Sequence, residues 1–261
     1  MEDFFKSPLA LFDRANEHVN EYRRIIEEIV PHFEYEEKIF VDEVTQENLY
    51  AIQISDDIDL LSIGCVAFDA ISCLRSVMDQ VVFAASCVIK KSDNPNRTKF
   101  PFGEAEHDAR KQFEAVGKNR GAASGVPAEL HNILMSFEPF KGGRYGLWEF
   151  NSIRNTGIHR VIAPSAVAVV RPVQFNNGVM GSIKFVNEWD SSKRQAFFLR
   201  EKDNYFADIS YQITGIDISF GASTELPGKS VLSALDHLSS ITLEIIESVK
   251  HETKKIVEAL P

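Results

Sequence analysis

Between Asp59 and Ile89 the chain reads DLLSIGCVAFDAISCLRSVMDQVVFAASCVI, with few polar breaks. A helix that is apolar nearly all round must be buried, and the centre of a helical bundle is its usual place in a globular protein. Asp69, Arg75 and Asp79 interrupt the run. No stretch of about 20 apolar residues is free of charge, so a membrane span is not expected. The other segments must therefore supply helices to surround this one.

The N-terminal segment does so. Ser7-Pro8 reads as an N-cap and a first-turn proline. Leu9, Leu11, Phe12, Ala15, Val19, Tyr22, Ile25, Ile26 and Ile29 then recur at helical spacing up to Pro31. From Ser230 to Leu260 a second stripe runs through Val231, Leu235, Leu238, Ile241, Ile245, Ile246, Val249 and Ile256. Residues 104–118 suggest an amphipathic helix, Val126-Pro127 opens a short one to about Phe137, and YGLWEFNSIRN starts another. Elsewhere the period changes to two. EYEEKIFVDEV and ENLYAIQIS, within 34–54, read as a β-hairpin. Between Ala166 and Ser219, turn residues at Asn176-Asn177-Gly178, Asp190-Ser191 and Asp203-Asn204 suggest a meander of about four strands.

The expected fold is α+β and mainly helical. Residues 1–165 would form a bundle carrying the hairpin, 166–222 an inserted antiparallel element, and 228–261 a terminal helix packed back on the bundle.

Composition limits function. With 28 Lys and Arg against 38 Asp and Glu, the formal net charge is −10. Phosphate neutralisation drives non-specific nucleic-acid binding, so an extended basic groove is excluded, whereas a small local basic pocket is not. Cys65, Cys73 and Cys87 have no ligand spacing and read as buried, reduced thiols. With MEDFFKSPLALF lacking a basic-then-apolar signal pattern, they point to a cytoplasmic protein. No phosphate-cradling glycine motif or GxSxG elbow occurs, and neither metal nor cofactor is expected.

Two places break the local pattern. In the apolar helix, Ser72, Asp79 and Ser86 fall seven apart and make one nearly straight polar stripe, while Arg75 and Asp79 are i,i+4 neighbours able to pair. Such a pair either fixes helix packing or faces a polar pocket. The second place is Ile153-Arg154-Asn155-Thr156-Gly157-Ile158-His159-Arg160. On an unbroken helix Arg154 and His159 stand about 140° apart. Gly157 is a natural terminator, so the helix is expected to end near Thr156-Gly157 and return His159 to the side of Arg154. An arginine holding phosphate beside a proton-exchanging histidine would suit phosphodiester chemistry. Phe100-Pro101-Phe102 and Phe137 with Pro139-Phe140 read as loop plugs, and Trp148 as core.

RNTGIH resembles the Arg-polar-spacer-His motif of the HEPN superfamily, whose domains are helical bundles with this motif on a late helix. An acidic residue often stands on an earlier helix, where this chain has Asp79. LRSVMDQ, TKFPF, FEPF, LWEFN and NTGIHR also resemble, in order, a group of uncharacterised bacterial proteins with a pattern like LRSxLDH…FPI…QPY…L…NxxKHR. The likeness covers roughly residues 55–165, with departures at Ser72, Gln80 and Ile158.

The resemblance implies a metal-independent endoribonuclease of a bacterial defence or toxin system, acting as a homodimer on RNA and controlled by an antitoxin or regulatory protein. Arg154 would hold the scissile phosphate and His159 would act as general base or acid. Asn155 would orient them, Asp79 would steady them, and Arg75 and Arg160 would contact substrate. Two other classes stay open: a non-catalytic HEPN-like binding module, and a small-molecule-binding protein. The reading further expects 59–89 to be the most buried helix, with Asp79 in hydrogen-bond reach of RNTGIH.

Overall fold

The structure is a computed structural model. It describes residues 2–259 apart from Phe33, 56–58, 116–119, 160–164, 171–172, 176–182, Ser191, 202–208, 212–214 and Ala222. At Glu2, 157–159, 165–170, 173–175, 183–187, Glu201, 209–211 and 215–216 the backbone alone is described. The chain is α+β and divides into two units: residues 1–20, 66–162 and 233–261 form the first, and residues 21–65 and 163–232 the second.

The first unit is helical. α1 runs Glu2–Ile29, five residues earlier than the Ser7-Pro8 signal suggested, so Pro8 lies inside the helix. Phe5 explains the extension, being buried on the same stripe as Phe12, Ala15 and Val19. Ser7 is not a cap; its hydroxyl donates to Gln80 Oε1 at 2.9 Å. α2 spans Leu60–Lys90. Among the described residues it has more buried side chains than any other helix, including Ile71, Leu74, Val77, Met78, Val81 and Val82. By length and composition α2 could cross a membrane, at a mean hydropathy of 1.6. A protein core helix meets the same criterion, and these side chains are covered by protein.

α3 is Glu106–Lys111, much shorter than the expected 104–118 helix, whose residues 116–119 lie outside the described ones. A 3-10 turn at Ala128–Leu130 leads into α4, His131–Met135. α5 is Leu147–His159 and α6 is Val231–Ala259. Polar links identify neighbours within the unit. Ser239 Oγ donates to Asn16 Oδ1 at 2.5 Å, joining α6 to α1, and Arg75 Nε donates to Asn151 Oδ1 at 2.8 Å, joining α2 to α5.

The second unit contains the strands. β1, Tyr35–Val41, and β2, Asn48–Ile54, form the expected antiparallel hairpin with Tyr35 opposite Ile54. The later strands are β3 Ser165–Val170, β4 Val173–Phe175, β5 Ile183–Asp190, β6 Gln195–Glu201, β7 Ile209–Tyr211 and β8 Gly215–Phe220. They do not form a meander. β5 and β6 are a hairpin, β4 pairs with β7, and β3 pairs with β8, so the pairs are nested. β2 pairs antiparallel with β6, giving a four-stranded sheet ordered β1-β2-β6-β5. The hairpin therefore belongs with the later strands rather than with the helical unit. Alternation reveals a strand's faces but not its partner.

Candidate functional site

The polar break in α2 is built around Arg75, whose side chain is 13% exposed. Its Nη1 pairs with Asp79 Oδ1 at 2.7 Å, one helical turn away. Nε donates to Asn151 on α5, and the guanidinium lies 4.3 Å from the centre of the Phe102 ring. A carboxylate, an amide and a ring thus surround a guanidinium largely removed from water. Burial pulls Arg75 below its ordinary pKa range, Asp79 opposes that, and the nearby charge of Arg154 lowers it further.

Asp79 also binds the loop after α2. Its Oδ1 accepts the backbone N–H of Phe100 at 2.8 Å. Phe100 is buried and its ring meets that of Phe102 at 5.2 Å, so the Phe-Pro-Phe segment is the plug its composition suggested. Among the described residues, the bonded partners of Asp79 are Arg75 and Phe100. Among the described residues Asp79 makes no hydrogen-bonded contact with RNTGIH, and the His159 side chain, part of that expectation, lies outside them. The partners of Asp79 are local instead: an adjacent guanidinium and a backbone donor both meet Oδ1.

The stripe of Ser72, Asp79 and Ser86 is not a continuous polar wall. Ser86 is fully buried and donates to the Val82 carbonyl at 2.8 Å, which satisfies it within the helix. The Ser72 hydroxyl oxygen is buried with no hydrogen-bond partner among the described residues.

On α5, the charge of Arg154 acts against that of Arg75. The Arg154 Nη1 donates to Asn155 Oδ1 at 3.2 Å, while its Nε is enclosed without a hydrogen-bond partner among the described residues. Among the described residues Arg154 has no carboxylate partner, whereas Arg75 has Asp79. Asp79 thus pairs with one of the two guanidiniums and not with the other.

Glu149 does not supply a second. Its Oε1 accepts the Gly142 N–H at 2.9 Å, closing the turn before α5. Trp148 is half-buried rather than core, with Lys141 Nζ 4.9 Å from its ring centre.

The motif's C-terminal half departs from expectation. α5 does not end at Thr156-Gly157 but continues through Gly157 to His159. Glycine costs about 1 kcal/mol relative to alanine inside a helix, a penalty that a packed helix can absorb. The unbroken backbone sets positions 154 and 159 about 140° apart around the axis. The His159 side chain and all of Arg160 lie outside the described residues.

Asn151 was not singled out from the sequence, although it lies three positions before Arg154 and four before Asn155 on one helical face. That spacing was its available signal. All three cysteines are free, but Cys87 alone is buried as expected, with Cys65 and Cys73 half-buried; burial raises the pKa of the Cys73 and Cys87 thiols. Among the described residues no group of three or more His, Cys, Asp or Glu is placed to hold a metal ion. No family model, curated protein or solved structure matches this chain.

Proposed function

We propose that this chain is a HEPN-like, metal-independent endoribonuclease in which Arg154 holds a phosphate of single-stranded RNA and His159 exchanges protons with the ribose 2′-OH. The observation that supports it is the surplus of cation where α2 meets α5 through Arg75 and Asn151: the charge of Arg154 acts against that of Arg75, and Asp79 pairs with Arg75 alone. A phosphate would supply the missing negative charge at the Arg154 guanidinium. Arg75, held by Asp79, Asn151 and Phe102, positions this surface and adds to its field.

In this reading two copies form a C2 homodimer across their α5 helices. Positions 154 and 159 point about 140° apart on one unbroken helix, so a second copy would complete the site by opposing its His159 to Arg154. Two histidines would also provide both the acid and the base that RNA cleavage uses. A toxin or defence role under an antitoxin or regulatory protein follows from the same resemblance.

The test is purified protein on mixed single-stranded RNA in EDTA. Expected products carry 2′,3′-cyclic phosphate, and DNA, having no 2′-OH, is untouched. His159→Ala lowers the rate by about 10²–10⁴-fold, and Arg154→Ala also lowers it. Undiminished cleavage by His159→Ala overturns the assignment.

A second reading, a non-catalytic binding module, is favoured by the continuity of α5 through Gly157, which separates the two motif positions within one copy. RNA binding that Arg154→Ala weakens, with no product from the wild type, selects it.

A further inference from the structure

A second cationic feature lies in the loops after α2. Between residues 90 and 125 the chain carries eight Lys or Arg against five Asp or Glu, within a protein of net charge −10. Two of those acids are occupied in and beside α3: Glu106 pairs with Arg110 at 2.7 Å, and Asp108 with Lys111 at 3.4 Å. Arg97 and Arg120 have no carboxylate partner among the described residues. Both line an open pocket of about 530 Å³, together with Asn96, Ser124, Gly125 and Ala115. No acid lines it.

The pocket has a built floor. Gly125 donates its N–H to the Arg97 carbonyl at 2.9 Å, and Lys99 donates to the Ala122 carbonyl at 3.2 Å, so the two loops are joined by backbone bonds. They approach so closely that a Cβ at Gly125 would lie 1.8 Å from the Asn96 carbonyl oxygen. Lys90 Nζ donates to the Gly125 carbonyl. Arg97 itself sits at φ +57°, in the left-handed region that disfavours side chains, and its Nη1 donates to the Arg120 carbonyl at 2.7 Å. One edge of the guanidinium is thereby anchored across the pocket, which lowers the entropy lost when its remaining N–H groups bind a ligand.

We propose that this pocket binds the phosphate group of a small phosphorylated molecule, with Arg97 and Arg120 as its charge partners and Ser124 and Asn96 as neutral donors. A carboxylate is satisfied by the fork of one arginine, whereas a phosphate dianion presents three terminal oxygens and can engage two. The volume falls within the range of small-molecule sites. The acidic net charge opposes a long polyanion track running away from the pocket. This inference does not depend on the Arg154 site or on RNA cleavage.

Calorimetry on the full chain, with inorganic phosphate and AMP as separate probes, tests it without any activity readout. Both probes are expected to bind, AMP more tightly. Measured in an Arg154→Gln background, so that the α5 site contributes nothing, Arg97→Gln and Arg120→Gln should each weaken binding about tenfold or more, with the circular dichroism spectrum retained. An RNA decamer with a 5′-phosphate, compared with its 5′-hydroxyl form, separates a free small ligand from the end of a chain. Binding of the phosphorylated decamer without binding of AMP overturns the small-molecule assignment. Failure of both simple probes at millimolar concentration overturns the site, as does unchanged affinity in the Arg97→Gln/Arg120→Gln double variant.

Discussion

Arg75 in the helical unit and Arg200 in the β unit are both arginines taken largely out of water, and they are compensated in opposite ways. Arg75 has one carboxylate, Asp79, one amide and one aromatic ring, and a second guanidinium, Arg154, stands nearby. Arg200, with a side chain 23% exposed, meets three carboxylates: Asp42 at 3.2 Å, Glu188 at 3.4 Å and Glu47 at 3.5 Å. Burial works against the charge of Arg200 as it does for Arg75, but Glu188, Glu47 and Asp42 outweigh it and hold the guanidinium above its ordinary range. The helical cluster thus has spare positive charge and the sheet cluster spare negative charge. An anionic ligand is attracted to the first and repelled by the second.

The difference also concerns redundancy. Asp42 gives Oδ1 to the N–H groups of Val44 and Thr45 and Oδ2 to Arg200, so one carboxylate closes the β1–β2 turn and ties it to β6. Two further carboxylates remain if one is lost. Arg75 has no such reserve.

The largest expected effect comes from removing the single carboxylate. Asp79→Ala should destabilise the protein by about 2–4 kcal/mol, since a buried cation loses its pair and the Phe100 N–H its acceptor. The replacement Arg75→Met with Asp79→Leu should recover the part due to the unpaired cation but not the part due to the Phe100 N–H, which still lacks its acceptor. Urea unfolding measures both; a cost below about 0.5 kcal/mol for Asp79→Ala would fall within ordinary surface-substitution effects and erase the contrast.

A smaller effect is expected in the sheet. Glu188→Gln removes one of three partners from a half-exposed cluster and should change stability by about 0.5 kcal/mol or less. A loss as large as that of Asp79→Ala would show that the three carboxylates act as one unit rather than as substitutes.

The smallest effect is on pH dependence. The N–H groups of Thr45 and Val44, then Arg200, hold Asp42 below the ordinary aspartate value of 3.8. A carboxylate depressed in the folded state contributes stability that is present above its unfolded pKa and is lost as pH falls through the lower folded value. Hydrogen exchange in the β1–β2 hairpin should therefore lose protection below about pH 4. Asp42→Asn should flatten that dependence while keeping a turn acceptor. An unchanged pH profile in this variant would assign the acid sensitivity to another group.

Much of this architecture is legible locally, and the limits of that legibility have particular causes. The stripe Phe12, Ala15, Val19, Tyr22 and Ile26 repeats every three or four residues and is buried as read. β1 and β2 alternate around a polar turn and pair in the expected antiparallel sense. The i,i+4 spacing of Arg75 and Asp79 yields the ion pair, because helix geometry alone brings those positions together. Where a local signal competed with packing, it lost. Ser7-Pro8 looks like a helix start, yet burial of Phe5 carries α1 past it. Gly157 looks like a stop, yet α5 continues to His159.

The sequence by itself determined which faces are apolar, where most elements lie and which charges share a helical face, because these depend on periods of two and 3.6 residues. Tertiary structure decided the partners. β2 could have paired with any strand of suitable alternation, and the fold gives it β6, some 150 residues away. Asp79 gains the Phe100 N–H from a loop 21 residues on, and Arg75 gains Asn151 from a helix 76 residues on. Arg97 and Arg120 face one pocket because backbone bonds join their loops. A side chain's period is written in its neighbours along the chain, but a buried polar group takes the partner that the closed fold brings within about 3 Å.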